Sequence, residues 1–92
     1  MIVSYRDNRT ADFATGKRVK GLSGIERPAR LKLDQVEAAH TLKDLAALPG
    51  NRFEKGDRKG QYNIRINDQS RICFEWPDKS PGPMNVEIVD YH

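Results

Sequence analysis

The residues best suited to chemistry stand together at the end of the sequence, as Asp90, Tyr91 and His92. They follow Val86–Val89, an apolar run typical of a strand. An imidazole has a reference pKa of about 6.5 and exchanges protons near neutral pH, and a neighbouring carboxylate favours its charged form. A strand would hold the three side chains at fixed positions, as acid–base catalysis requires. We therefore interpret this trio as candidate catalytic residues.

A second candidate group is basic. Six Lys and Arg residues fall within 20 positions, opposed there by three acidic residues; they are Arg52, Lys55, Arg58, Lys59, Arg65 and Arg71. Strand alternation predicts that Arg65 and Arg71 point away from the core, and the loop would add Lys55 and Arg58. The result would be a concave basic surface able to hold a phosphodiester and stabilise its transition state. Tyr91 would supply a ring for base stacking.

Each of these residues also has an ordinary interpretation. His92 is compatible with an unstructured terminal residue, and Tyr91 with an aromatic residue packed at a strand end. Arg65 and Arg71 are compatible with solvated strand residues, and the run Lys55–Gly60 with a charged turn. The residues alone leave these alternatives open.

Composition bounds the class of protein. Ninety-two residues with 37% hydrophobic and 32% charged content predict one soluble domain spanning 1–92, and a net charge of +3 leans towards an anionic partner. One cysteine, Cys73, excludes an internal disulfide and a cysteine-based zinc site. The chain shows no apolar run of membrane-spanning length and no signal peptide. We therefore expect a cytoplasmic protein with no membrane partner, no metal and no cofactor.

The first half of the chain has helical patterns. The predicted elements are a strand at Ile2–Tyr5, a helix that Asp7 or Asn8 caps and Gly16 ends, a long helix at Leu22–His40, and a shorter helix that Thr41 caps and Pro49–Gly50 ends. A capping box at Ser23–Glu26 is predicted to begin the long helix.

The second half changes to a period of two. Alternating apolar residues predict strands around Tyr62–Ile66 and Arg71–Trp76, joined by a turn at Asn67–Asp68. A loop rich in Pro and Gly then leads to a strand at Asn85–Val89. The pattern predicts an α+β fold, with an N-terminal strand and helices packed on one face of an antiparallel β-sheet meander. The other face would be polar and free to bind a ligand.

Three segments, 55–62, 67–74 and 86–92, carry a resemblance in this order. The chain resembles the HigB branch of the RelE/ParE toxin superfamily, the plasmid-maintenance toxins of type II toxin–antitoxin modules, over essentially its whole length. The resemblance implies a small RelE-like domain and a cytoplasmic toxin. It further implies a ribosome-dependent endoribonuclease that cleaves mRNA in the A site, by metal-independent attack of the 2′-hydroxyl, and so inhibits translation.

Roles follow from the resemblance by position. His92 and Asp90 match the terminal acid–base pair, Tyr91 the residue that stacks on a base, Lys55 a transition-state lysine and Arg71 the phosphate-binding arginine. Further expected substrate-binding residues are Arg52, Arg58, Arg65 and Gln69, the last at the place of a codon-reading amide.

The resemblance also implies partners. They are the ribosome with its mRNA and a HigA-type antitoxin, which would link the toxin indirectly to operator DNA. An alternative is a non-catalytic interaction protein on the same fold, either a ParE-like gyrase inhibitor or an attenuated toxin that acts through its antitoxin–DNA complex. The terminal trio separates the two, since only a nuclease requires it. A free RNA-binding domain ranks last.

Overall fold

The computed structural model describes residues 1–90, which form three helices and a four-stranded antiparallel sheet. The elements in chain order are α1 (Asn8–Ala14), a 3₁₀ turn (Ser23–Ile25), α2 (Glu26–Ala38), α3 (Leu42–Ala46), β1 (Glu54–Lys55), β2 (Gln61–Arg65), β3 (Ser70–Glu75) and β4 (Met84–Asp90). The predicted α+β class, with helices preceding an antiparallel meander, is confirmed.

Two helices begin at the caps that the sequence predicts. The Asp7 side chain accepts a hydrogen bond from the Thr10 amide at 2.8 Å and begins α1. Thr41 and Asp44 form a complete capping box at α3. The backbone amides of His40 and Thr41 donate to the Asp44 carboxylate at 2.9 and 3.1 Å and hold the pKa of that carboxyl below its usual value.

Helix α2 differs from the prediction at both ends. It begins at Glu26, after the 3₁₀ turn, its N-cap is the apolar Ile25, and it ends at Ala38. The predicted capping box at Ser23 is therefore wrong. Proline lacks an amide hydrogen, so Pro28 can stand in the first turn of a helix but not further inside it. A helix begun at Ser23 would need that missing hydrogen bond.

The predicted N-terminal strand is reduced to a single parallel bridge between Tyr5 and Val86. The segment around it nevertheless closes the outer edge of β4. The Val86 amide donates to the Ser4 carbonyl at 3.1 Å, and the Arg6 amide donates to the Val86 carbonyl at 3.0 Å. Further along β4, the Ile88 amide donates to the Thr10 hydroxyl at 3.1 Å. The first 10 residues thus cover an edge that would otherwise be unpaired.

The core lies between the helices and one face of the sheet. Buried side chains come from both layers; they are Phe13, Leu22, Ala29, Leu33, Val36, Ala39, Leu45, Ile64, Ile66, Ile72, Phe74, Trp76, Val86 and Ile88. In β3, buried and half-buried residues alternate from Ser70 to Glu75. The opposite sheet face therefore carries the polar set, as the period of two predicts. Within residues 1–90, no helix is long and apolar enough to span a membrane.

Candidate functional site

Strand register places chemistry-bearing residues in rows across the open face of the sheet. Arg65 stands opposite Arg71, which stands opposite Val89. The next row brings Asn63 beside Cys73. The predicted juxtaposition of the two arginines on this face is therefore present in the structure.

A depression of about 560 Å³ lies over this face, and the β1–β2 hairpin forms one wall of it. The Gly56 amide donates to the Gln61 carbonyl at 2.7 Å, and a Cβ at Gly56 would come within 2.9 Å of the Gln61 Cβ. This close approach favours glycine and tightens the hairpin. The hairpin brings two predicted site residues, Lys55 and Arg58, into the lining.

The depression has mixed charge, so the expectation of a basic surface is wrong here. Its charged lining residues are three cations, Arg6, Lys55 and Arg58, and four carboxylates, Glu54, Asp57, Glu75 and Glu87. Arg6 lies 3.4 Å from the Glu75 carboxylate and 3.8 Å from that of Glu87. Glu75 and Glu87 fall outside the basic segment of the sequence, but β3 and β4 carry them onto the same face.

Arg71 is the most constrained cation at this site, with only 17% of its side chain exposed. Its Nε donates to the Asn63 side-chain oxygen, and its Nη2 donates to the Arg52 carbonyl at 2.6 Å. The Glu54 carboxylate lies 3.8 Å from the same Nη2. Asn63 and Glu54 line the depression, so Arg71 stands at its border.

Three other predicted substrate-binding residues lie near Arg71 and are more exposed to solvent than it is. The Arg65 side chain pairs with Asp68, which is 91% exposed. Arg52 is exposed and has a φ of 45°, in the left-handed region. Gln69 is exposed in the β2–β3 turn, where its backbone amide donates to the Asn67 side-chain oxygen. These residues are close to Arg71 in the fold, and their substrate contacts remain predictions.

Asp90 lies on the other side of the sheet from Arg71. It stands opposite Ser70 in the strand register, and the Ser70 hydroxyl donates to the Asp90 carboxylate at 2.5 Å. Ser70 is 3% exposed and belongs to the core face. Tyr91 and His92 lie outside the described residues, so the proposed acid–base pair stays a prediction. The partnership of Ser70 with Asp90 was not predicted, because strand register is needed to see it.

A buried asparagine, also not predicted, supports the loop before β1. Asn51 is fully buried; its side chain accepts from Lys32 Nζ at 2.5 Å and donates to the Leu45 carbonyl at 3.0 Å. Its own carbonyl accepts from the Arg65 amide at 2.6 Å. Burial, and secondarily the charge of Arg65, lowers the pKa of Lys32. The sequence carries no direct signal of this support, because asparagine is usually exposed and the burial of Asn51 is visible only in the fold.

The described residues do not form a cluster of metal ligands. Among residues 1–90, no group of three or more His, Cys, Asp or Glu side chains is placed to hold a metal ion.

Comparison with known proteins places the chain in a family. The family model of the RelE-like toxin of the type II toxin–antitoxin system HigB matches residues 4–92. The chain is also 45% identical over 82 residues to Toxin HigB-1 of Vibrio cholerae serotype O1, a match covering 85% of this chain and 86% of that protein. The match to the family model spans all the helices and strands described above. The chain therefore belongs to the family of HigB-like, RelE-like toxins of type II toxin–antitoxin systems.

Proposed function

We propose that this toxin is a ribosome-dependent endoribonuclease that cleaves mRNA in the A site and so inhibits translation. The observation that carries the proposal is the fixed orientation of the Arg71 side chain. Its guanidinium is oriented on the open sheet face by two hydrogen bonds, beside a depression lined by Lys55 and Arg58. Planar guanidinium groups suit the bidentate recognition of phosphate.

The proposed reaction is attack of a ribose 2′-oxygen on the adjacent phosphorus. The O2′–P bond forms while the P–O5′ bond breaks, which leaves a 2′,3′-cyclic phosphate and a 5′-hydroxyl. His92 would accept the 2′-hydroxyl proton and return a proton to the leaving 5′-oxygen. Asp90, whose carboxylate is held by Ser70 on the core face, would act through His92 and not on the phosphate itself. Arg71 and Lys55 would stabilise the charge that accumulates on the phosphate oxygens. Tyr91 would stack on a base beside the cut.

The remaining predicted residues would bind the message. Arg52, Arg58 and Arg65 would contact flanking phosphates, and Gln69 would hydrogen-bond a base edge. A type II toxin implies an antitoxin partner, which we propose to be HigA-type and to connect the toxin to operator DNA. A protein acting on translating ribosomes would work in the cytoplasm.

The test is primer extension on mRNA in a purified translation system. Wild-type toxin should give cuts phased with codons in the A site, and His92→Ala should reduce them at least about 100-fold, the lower range for a lost acid–base group. His40→Ala is the matched control, since His40 is the other histidine of the chain and lies between α2 and α3, exposed to solvent.

Three other outcomes have distinct meanings. Equal cutting by wild type and His92→Ala would keep the nuclease and assign proton transfer to other groups. Cuts without ribosomes would identify a free ribonuclease. No cutting by any variant, together with growth arrest in cells, would contradict the proposal and favour a gyrase inhibitor of the ParE type.

A further inference from the structure

We infer that Asn63 and the backbone carbonyl of Arg52 are positioning groups, which fix the guanidinium of Arg71 for contact with the scissile phosphate. The inference rests on the proposed function. It adds two groups that sequence reasoning did not single out for this role, one of them a main-chain oxygen. Neither group is assigned contact with substrate, because both act through Arg71.

The guanidinium is held at two of its three nitrogens. Nε donates to the Asn63 side chain and Nη2 to the Arg52 carbonyl at 2.6 Å. Two hydrogen bonds to different nitrogens of a planar group fix both its position and its plane. Neither of these two hydrogen bonds uses Nη1. A phosphate oxygen that binds at Nη1 would therefore meet a guanidinium whose orientation is set before substrate binds.

Both acceptors are anchored by the fold. Asn63 is in the middle of β2, between Glu54 of β1 and Cys73 of β3. The Arg52 carbonyl follows Asn51, whose buried side chain bonds Lys32 of α2 and the Leu45 carbonyl of α3. An anchored acceptor loses little entropy when it holds a long side chain, and so can position it accurately.

Glu54 makes a weaker contact with the same group. Its carboxylate is 3.8 Å from Nη2 and its side chain is 62% exposed. Exposed ion pairs of this kind contribute little, because solvent screens them. A substrate phosphate can therefore displace Glu54, whereas Asn63 and the Arg52 carbonyl stay in place. This difference assigns positioning to Asn63 and not to Glu54.

The test is a double-mutant cycle on the single-turnover cleavage of ribosome-bound mRNA. Asn63→Ala should lower the maximal rate about 10-fold, the effect of one lost hydrogen bond of roughly 1.4 kcal/mol. The substitution should leave the half-saturating toxin concentration nearly unchanged. In an Arg71→Ala background the same substitution should have no further effect, because its action passes through Arg71. Asn8→Ala, which removes the side chain of an exposed asparagine in α1, is the matched control.

A conservative variant gives a second readout. Asn63→Asp retains an acceptor for Nε but adds a negative charge beside the phosphate, so it should restore the maximal rate while raising the half-saturating concentration. If Asn63→Ala is unstable at the assay temperature, Asn63→Val removes the acceptor with a residue that favours strands.

The inference and the proposed function fail separately. If wild-type toxin cuts no mRNA, the proposed function is contradicted. If wild type cuts but Asn63→Ala cuts equally well, Asn63 does not position Arg71. An equal loss from Asn63→Ala with and without Arg71 would also overturn the inference, because the asparagine would then act independently.

Discussion

Arg52 combines a backbone role and a side-chain role at one position. Its φ of 45° is uncommon for a residue with a Cβ, and this conformation directs its carbonyl towards Arg71. Its side chain is exposed and is a proposed contact to RNA. The two roles should affect different kinetic quantities, since orienting Arg71 acts on the chemical step and a phosphate contact acts on binding.

Arg52→Gly should therefore keep the maximal cleavage rate and raise the half-saturating concentration. Glycine retains the carbonyl and accepts positive φ without strain. Arg52→Val should lower the maximal rate and also destabilise the protein by about 1–3 kcal/mol, because a β-branched residue is strained at this φ. Single-turnover kinetics and urea unfolding of both variants measure these effects. Equal maximal rates for the two variants would contradict a role for the backbone.

Among the elements, the helix N-termini and the strands differ in how far they could be predicted from neighbouring residues. The caps at Asp7 and Thr41 were predictable because each depends on residues within one turn. The start of α2 was predicted wrongly, because a capping pattern matches at Ser23 although Pro28, five positions later, excludes a helix that begins there. Strands β2, β3 and β4 followed from their period of two. Strand β1, in a segment predicted as a loop, and the bridge between Tyr5 and Val86 depend on pairing with distant residues.

Helix α3 has a pH-dependent start. The pKa of Asp44 is lowered in the folded protein by hydrogen bonds from the His40 and Thr41 amides. A lowered folded pKa gives stability that is complete above the unfolded pKa and is lost as pH falls through the folded one. Asp44→Asn should therefore reduce Tm at neutral pH and weaken the fall in Tm below about pH 4. Thermal unfolding between about pH 7 and pH 2.5 tests this. Parallel curves of Tm against pH for Asp44→Asn and wild type would show that the Asp44 carboxylate does not contribute to the pH dependence.

At the scale of the whole molecule, the positive charge is divided between two surfaces. Residues 17–30 carry five Lys or Arg and one Glu on the helical side, while the sheet depression has more carboxylates than cations. Sequence reasoning identified the cations near Arg71 because they are close in the chain. It could not predict the acidic residues beside them, nor the separation of Asp90 from Arg71, because both depend on strand register and on which face each residue occupies.

Ribosome binding should depend steeply on salt, because each phosphate neutralised by the toxin releases counterions. With about three such contacts, the dissociation constant should rise roughly 20-fold between about 50 and 200 mM monovalent salt. Arg58→Gln should reduce the slope of log K against log salt by about 1. Lys17→Gln, which removes an exposed cation of the helical side, should leave the slope unchanged if only the sheet face meets RNA. Filter binding over a salt series measures both slopes, and a flat wild-type response would contradict the proposed RNA surface.

The pairing of the N-terminal segment with β4 has a consequence for how the toxin is made. The Asn85 amide donates to the Ser4 hydroxyl across 81 positions of the chain. Contacts of such long range slow folding, because the intervening chain must be ordered before they form. During synthesis the N-terminal segment emerges first and waits for β4, the last described element. Strand β3 therefore lacks one neighbour, and Ser70 its carboxylate partner, until β4 has emerged from the ribosome. The four-stranded sheet, and with it the register that sets Asp90 opposite Ser70, is consequently incomplete in the nascent chain up to that point.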